Sequence, residues 1–208
     1  MDEPRPDDPR RSVEVVAETL MPHVEADWSV IAGDLEWTCR RTLNHSIDAL
    51  LFYAGHLARL ATERRGHVRD GDAKGSIARL LEALVSSGHI LARVAEATPA
   101  GGRAYHSLGM ADASGFVAMA CDETLVHAND ICSGLGAEFR PPDEICERAA
   151  ARLFPWAPKH DDPWARLLWC NGRLALPDHE RLGPEWGWWC APLEEWDGIA
   201  YTDRGPGE

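Results

Sequence analysis

The stretch DASGFVAMACDETLVHANDICSGLG, residues 112–136, decides the fold predicted for this 208-residue chain. A helix advances about 100° per residue, and its apolar positions recur at steps of three and four. We set the direction of Phe116 around the helix axis to zero. Five apolar and polar residues then lie within about 40° of that direction: Ala120, Glu123, His127, Asp130 and Gly134. The pattern predicts a helix over about Asp112–Leu135 that ends at Gly134 or Gly136, with Glu123 and His127 on the face directed at the core.

The Glu123 and His127 pair is the first candidate for function. A carboxylate on a buried face loses its hydration, which is costly unless the charge is compensated. The spacing Glu-x-x-x-His puts two donors one helical turn apart, and zinc binds both imidazole nitrogen and carboxylate oxygen. The pair is therefore a candidate metal site. An ordinary hydrogen-bonded i,i+4 pair is the alternative, because this spacing is common by chance.

Three further stretches show the helical period. Apolar residues at steps of three and four predict helices over about Ser12–Asp27, Thr38–Arg65 and Ser76–Ala97. Residues 1–11 are acidic and proline-rich and are predicted to be a flexible N-terminus. Four helices of this length predict an all-α fold, with a helical bundle over residues 12–139.

A third metal ligand is expected from a neighbouring helix, because catalytic zinc sites typically use three protein ligands and keep one position for water. His45 is the best candidate. It lies at the margin of the apolar face of the second predicted helix, in line with Ala49, Phe52 and His56. This position allows His45 to be inside or partly exposed, and a surface histidine is the alternative.

The last part of the chain, residues 140–208, has a different character. Short helices are predicted from Arg140–Asp143 to about Phe154 and from Asp162–Pro163 to about Gly172. Beyond Pro177 the chain is rich in Trp, Pro and Gly, which predicts an ordered coil packed on the bundle with its tryptophans as apolar anchors. The predicted fold is thus an all-α bundle with a short helical and Trp-rich coil extension.

Composition excludes several classes of protein. A net charge of −13 and a pI of about 5.1 argue against nucleic-acid binding, which depends on clustered Lys and Arg. No run of about 20 apolar residues occurs, and the charged N-terminus is unlike a signal peptide. The six cysteines form no C-x-x-C pair. We expect a soluble, cytoplasmic monomer or homodimer that acts on a small molecule, with no membrane or nucleic-acid partner.

The motif residues resemble a known group of proteins. Trp37-Thr38 followed by His45, and then Glu123-Thr124-Leu125-Val126-His127-Ala128-Asn129-Asp130, resemble the DinB-like superfamily. More narrowly, they resemble the metal-binding N-terminal domain of mycothiol-dependent maleylpyruvate isomerases, over about residues 12–136. In that family a four-helix bundle holds a divalent metal on a His of the second helix and a Glu/His pair of the fourth. The resemblance implies a divalent cation, zinc foremost and nickel or another ion as an alternative, on His45, Glu123 and His127.

The resemblance also implies a class of reaction. Members of the superfamily include transferases and isomerases that use mycothiol or bacillithiol. The implied function is activation of a mycothiol-like thiol for transfer to, or isomerisation of, a small electrophile. Maleylpyruvate is not carried over as the substrate, because the isomerase has a larger second domain that contributes to its active site. Metal-dependent hydrolysis by bound water and a non-catalytic metal-containing binding bundle are the alternatives.

Other residues are candidates for supporting roles. Asp130 follows His127 by three residues, as Asp48 follows His45, so either carboxylate is placed to accept the free imidazole N–H. Asp130 is the one predicted to take part in catalysis.

Residues of two predicted irregular segments complete the candidate site. Tyr105 and His106 precede the metal-binding helix in a predicted loop and are candidate proton donors, and Arg103 is a candidate anion-binding group. In the C-terminal extension, Arg166, and with it Arg173 and Arg181, are candidates for binding the carboxylates of a thiol cofactor or an acidic substrate.

Overall fold

The computed structural model describes residues 3–67, 71–72 and 74–200, and these form a mostly helical fold. The elements, in chain order, are α1 (Asp8–Leu20), α2 (Cys39–Ala58), α3 (Ile77–Ala97), β1 (Arg103–His106), β2 (Gly109–Asp112), α4 (Ala113–Leu135), α5 (Asp143–Leu153) and α6 (Pro163–Cys170). This content is compatible with the predicted all-α class. No helix within the described ranges combines the length and apolar character needed to cross a membrane.

Helix α4 is the central element. Its N-cap is Asp112, whose carboxylate accepts the N–H of Gly115 at 2.8 Å, and it ends at Gly136, whose φ of 68° permits the left-handed turn that closes the helix. It packs against α1 and α2 on one side and against α5 on the other. Most of its residues are therefore buried, which puts its polar side chains in a setting where they need partners.

Helices α1 to α3 surround the same core. Helix α3 packs against both α1 and α2, and all three contact α4. The shared core contains fully buried leucines from all four helices: Leu20, Leu50, Leu81, Leu84 and Leu125. Helix α1 begins at Asp8, earlier than the predicted start at Ser12, and ends at Leu20 because Pro22 lacks the N–H that the next turn needs. Residues 8–11 are thus helical, within the segment predicted to be flexible.

Helix α2 is shorter than predicted. It begins after the N-cap Thr38, as expected, but ends at Ala58 rather than near Arg65. Leu60 has a φ of 44° and the chain turns back, so that the N–H of Arg65 donates to Nε2 of His56 at 3.0 Å. The residues after α2 therefore cover part of that helix.

A β-hairpin replaces the predicted loop before α4. Strands β1 and β2 pair antiparallel, with Arg103 opposite Asp112 and His106 opposite Gly109. The turn between them is short, and Gly109 has a φ of 140°, which glycine adopts easily. The hairpin is attached to the end of α2 by the Tyr105 N–H, which donates to the Ala61 carbonyl at 2.6 Å.

The C-terminal segment packs on the helices of the core. Helix α5 contacts α4 and α6 contacts α5. A buried ion pair joins Arg148 of α5 to Asp8 of α1, with Nη2–Oδ1 at 2.6 Å. Beyond α6 the chain is mainly irregular, and the Trp189 N–H donates to the Leu153 carbonyl at 2.8 Å.

Candidate metal centre

Three side chains from two helices converge at one point. His45 comes from α2, and Glu123 and His127 come from α4. One ligand atom of each lies within 4.8 Å of the others. The Glu123 Oε2 atom is 3.3 Å from Nε2 of His45 and 3.2 Å from Nε2 of His127. Two imidazole nitrogens and one carboxylate oxygen are a ligand set suited to zinc, so the cluster could hold a divalent ion.

The three ligands differ in exposure. The His127 and Glu123 side chains are 13% and 14% exposed, whereas the His45 side chain is 37% exposed. The Trp37 ring lies against the His45 ring, with centroids 4.8 Å apart in an edge-on arrangement. His45 therefore lies at the boundary between interior and solvent. Helical periodicity left open whether this residue is inside or partly exposed, and the structure shows that it is partly exposed.

His127 is oriented by a carboxylate behind it. Its Nδ1 lies 3.1 Å from Oδ2 of Asp130. An ionised carboxylate only accepts hydrogen bonds, so Nδ1 carries the hydrogen and Nε2 is the atom that faces Glu123 and remains for a metal. Arg173, just beyond α6, donates to Asp130 through Nη2 at 2.7 Å and through Nε at 3.2 Å. A row of hydrogen bonds thus runs from Arg173 through the buried Asp130 to His127.

The charges of the cluster favour a cation at its centre. Burial lowers the pKa of His127, but its contacts with Asp130 and Glu123 outweigh burial and raise that pKa to about 9. Burial alone would raise the pKa of Glu123, whereas the hydrogen bonds from His127 and His45 hold it well below its usual range. A proton on the imidazoles and a metal ion would satisfy the same negative charge.

Two further groups surround Glu123. The Tyr53 hydroxyl lies 3.4 Å from its Oε1 atom. The neighbouring carboxylate of Asp122, buried and facing the other way, accepts hydrogen bonds from Asn171 at 2.7 Å and from the Trp188 indole at 3.0 Å. Burial raises the pKa of Asp122 to about 7 against those two hydrogen bonds. The C-terminal segment therefore contacts α4 at Asp122, next to the candidate ligand Glu123.

A cavity of about 770 Å³ opens onto the cluster. His45 and Glu123 line it, together with Tyr53, Tyr105 and His106. Aromatic side chains and arginines form much of the remaining wall: Trp37, Phe52, Arg40, Arg41 and Arg64. A volume of several hundred Å³ is typical of sites for small organic ligands.

His106 is brought to this cavity by the β-hairpin. It is 7% exposed, and its ring lies near Tyr53, with centroids 5.9 Å apart. Its Nδ1 accepts the N–H of Leu108 at 3.3 Å, so the hydrogen of the neutral ring is on Nε2. Burial lowers the pKa of His106 to about 4. Near neutral pH the residue is a hydrogen-bond donor and not a cation.

Two predicted anion-binding residues are engaged elsewhere. Arg103 bonds to the Met110 carbonyl and to Glu195 at 2.6 Å, and Arg166 of α6 pairs with Glu147 at 3.1 Å. Neither is among the residues that line the 770 Å³ cavity. Arg173, proposed with Arg166 as a ligand for carboxylates of a bound molecule, is paired with the protein's own Asp130.

Several residues of the site were not predicted from the sequence. Tyr53 was hidden in the apolar face of α2, although a single hydroxyl on such a face is a usable signal of a buried partner. Asp122 carried the same kind of signal, since it is a carboxylate inside an otherwise apolar part of α4. No signal in the sequence indicated Asn171 or Trp188, because each contacts Asp122 across a large separation along the chain.

Comparison with known proteins adds no relative. No family model matches the chain, and neither the curated proteins nor the solved structures include a significant match. Any functional conclusion therefore depends on the residues of the site itself.

Proposed function

We propose that the protein is a divalent-metal-dependent enzyme that activates a small thiol for transfer to, or isomerisation of, an electrophilic molecule. In this proposal His45, Glu123 and His127 hold the ion, with zinc as the expected metal. Helices α1–α4 would then be a four-helix bundle of the DinB-like type, in the family that the motif residues resemble. The observation that carries the proposal is the convergence of three ligand atoms within 4.8 Å at the wall of a cavity.

The character of the ligand set supports catalysis over a structural role. Structural zinc sites are usually closed by four protein ligands, whereas catalytic sites keep an open position. Among the described residues the cluster has three candidate ligands, and two of them, His45 and Glu123, line the cavity. A small molecule in the cavity would therefore have access to the ion.

The protein's own cysteines are poor candidates for the nucleophile. All six are buried, and burial raises the pKa of each thiol above its usual value. None lines the cavity beside the cluster, as far as the described residues extend. A thiolate reacting there would have to come from a small molecule such as a mycothiol-like thiol.

Each side chain then has a defined task. Coordination to zinc on His45, Glu123 and His127 would lower the pKa of a thiol, so that the thiol would release its proton to solvent and be available as thiolate near neutral pH. Asp130 and Arg173 keep the Nε2 lone pair of His127 directed at the ligand cluster. When the sulfur adds to an electrophilic carbon, the displaced electron pair moves to the electrophile's oxygen. The Nε2–H of His106 is available to hydrogen-bond that oxygen.

Cobalt(II) provides the test, because its visible spectrum reports the ligands of the ion. The metal-free protein is loaded with cobalt(II) and titrated with 2-mercaptoethanol and with cysteine. Before thiol is added, we expect the visible absorption bands of a cobalt(II) ion with a low coordination number. A sulfur-to-cobalt charge-transfer band should then appear as thiol is added. His45→Ala should lose the cobalt spectrum, whereas His89→Ala, at an exposed histidine of α3, should keep it.

Two negative results have different meanings. If cobalt binds but no thiol produces a charge-transfer band, thiol activation is wrong, and hydrolysis by metal-bound water becomes the better proposal. If cobalt, zinc and nickel all fail to bind, the metal site itself is wrong.

A further inference from the structure

Arginine side chains in this acidic protein are mostly paired with carboxylates. In the described part of the chain, ion pairs engage the following residues: Arg10, Arg11, Arg65, Arg93, Arg103, Arg140, Arg148, Arg152, Arg166, Arg173 and Arg181. A net charge of −13 makes such pairing easy to achieve. An arginine without a carboxylate partner is therefore informative where it occurs in a cavity.

Arg41 and Arg64 are such residues, and both line the 770 Å³ cavity. Over the described ranges neither guanidinium has an ion pair with a carboxylate. The Arg41 guanidinium lies over the Trp37 ring, with its central carbon 4.6 Å from the ring centroid. The same Trp37 ring contacts the metal-ligand candidate His45. Arg41 is thus connected to the cluster through one aromatic ring.

The balance of charge on the cavity wall is positive, in contrast to the whole protein. The lining includes three arginines, Arg40, Arg41 and Arg64, against two carboxylates, Asp48 and Glu123. Arg40 donates to the Gly75 carbonyl at 2.5 Å. The Glu123 carboxylate lies between the two imidazoles of the cluster. The guanidinium groups of Arg41 and Arg64 therefore favour an anion in the cavity.

We infer that Arg41 and Arg64 bind a carboxylate of the small molecule that enters this cavity. A guanidinium stacked on an aromatic ring keeps its N–H edge free, and that edge matches the two oxygens of a carboxylate. The inference deepens the proposed function and rests on it for the reaction. It adds that the thiol or the electrophile is an acidic molecule. It also places carboxylate binding on α2 and the segment after it, instead of on the C-terminal extension.

The first arm of the test uses the thiol. Cobalt-loaded protein is titrated with 3-mercaptopropionate and with 2-mercaptoethanol, and the charge-transfer band reports the Kd of each. If the thiol carries the carboxylate, 3-mercaptopropionate binds about tenfold more tightly, and Arg41→Gln or Arg64→Gln removes that preference. Neither change should alter the affinity for 2-mercaptoethanol. Arg79→Gln, at an exposed arginine of α3 outside the cavity, is the matched control.

The second arm needs no metal and no thiol. Succinate and its uncharged counterpart succinamide are titrated into metal-free protein by calorimetry. If the electrophile carries the carboxylate, succinate binds and succinamide does not, and Arg41→Gln and Arg64→Gln weaken succinate binding about tenfold at low salt. Dependence on these arginines in either arm supports the inference and identifies which reactant is acidic.

The inference and the proposed function can fail separately. If no thiol binds cobalt but succinate binding depends on Arg41 and Arg64, the anion site remains and thiol activation is lost. If both arms give equal affinities for charged and neutral probes, or if the preference survives both substitutions, the inference is wrong. Circular dichroism of each variant checks that the fold is intact.

Discussion

The two sides of His127 are built differently. On one side, Nε2 lies 3.2 Å from Oε2 of Glu123, which lines the cavity together with the 37%-exposed His45. On the opposite side, Nδ1 faces Asp130, whose side chain is 4% exposed and is held by Arg173. One side is open to ligands and the other is filled by the protein. The candidate ligand atoms and the groups that orient them therefore come from different parts of the chain.

The supporting side depends on the C-terminal segment. The ligands come from α2 and α4, but Arg173 and Asn171 follow α6, and Trp188 comes from the coil beyond it. Asp130 hydrogen-bonds to the candidate ligand His127, a contact typically worth a factor of about 10 to 100 in metal affinity, and Arg173 holds Asp130 in place. The extension is therefore part of the proposed site, even though it supplies no candidate ligand.

The largest expected effect comes from removing the residue shared by both sides. His127→Ala deletes one of three ligands and leaves Asp130 without its imidazole partner. We expect the zinc affinity, measured by competition with a chromophoric chelator, to fall about a thousandfold, or roughly 4 kcal/mol. His89→Ala should bind zinc as the unaltered protein does. Unchanged affinity in His127→Ala would mean that the ion binds elsewhere.

The next largest effect is expected from His106, the neutral histidine that lines the cavity. The pKa of His106 is lowered from 6.5 to about 4, so between these values the unfolded chain binds more protons than the folded protein. The free energy of unfolding should therefore rise between about pH 4 and pH 6.5, with about 3 kcal/mol from this residue, and level off above.

Urea denaturation across this pH range measures the contribution of His106. His106→Asn retains an acceptor for the Leu108 N–H but cannot titrate, so it should flatten the curve over that window. An identical pH dependence in the variant and in the unaltered protein would show that His106 titrates normally and is more accessible than the structure indicates.

A smaller effect is expected on the supporting side. Arg173→Gln removes the ion pair that fixes Asp130, and zinc affinity should fall about tenfold while the ion still binds. Arg181→Gln is the matched control, because Arg181 lies in the same segment but pairs with the exposed Asp34. Equal zinc affinities in the two variants would mean that the row of hydrogen bonds behind His127 does not influence the metal.

The sequence was most informative where structure repeats along one helix. The bounds of α3 and α4 agree closely with the predicted Ser76–Ala97 and Asp112–Leu135, because their caps, Ser76 and Asp112, are local signals. The end of α2 and the β-hairpin were wrong in the prediction. Both depend on a turn at Leu60 and on contacts between the two segments, which helical periodicity does not encode.

By itself, the sequence determined that Glu123 and His127 share one buried face of a helix, since 3.6-residue periodicity follows from local geometry. Only the tertiary structure decided that His45 meets them, that Arg173 holds Asp130, and that Arg41 and Arg64 face the same cavity. These contacts join residues from separate elements, and their distances depend on how the helices pack and on where the C-terminal coil lies. Local propensity carries no information about either of these.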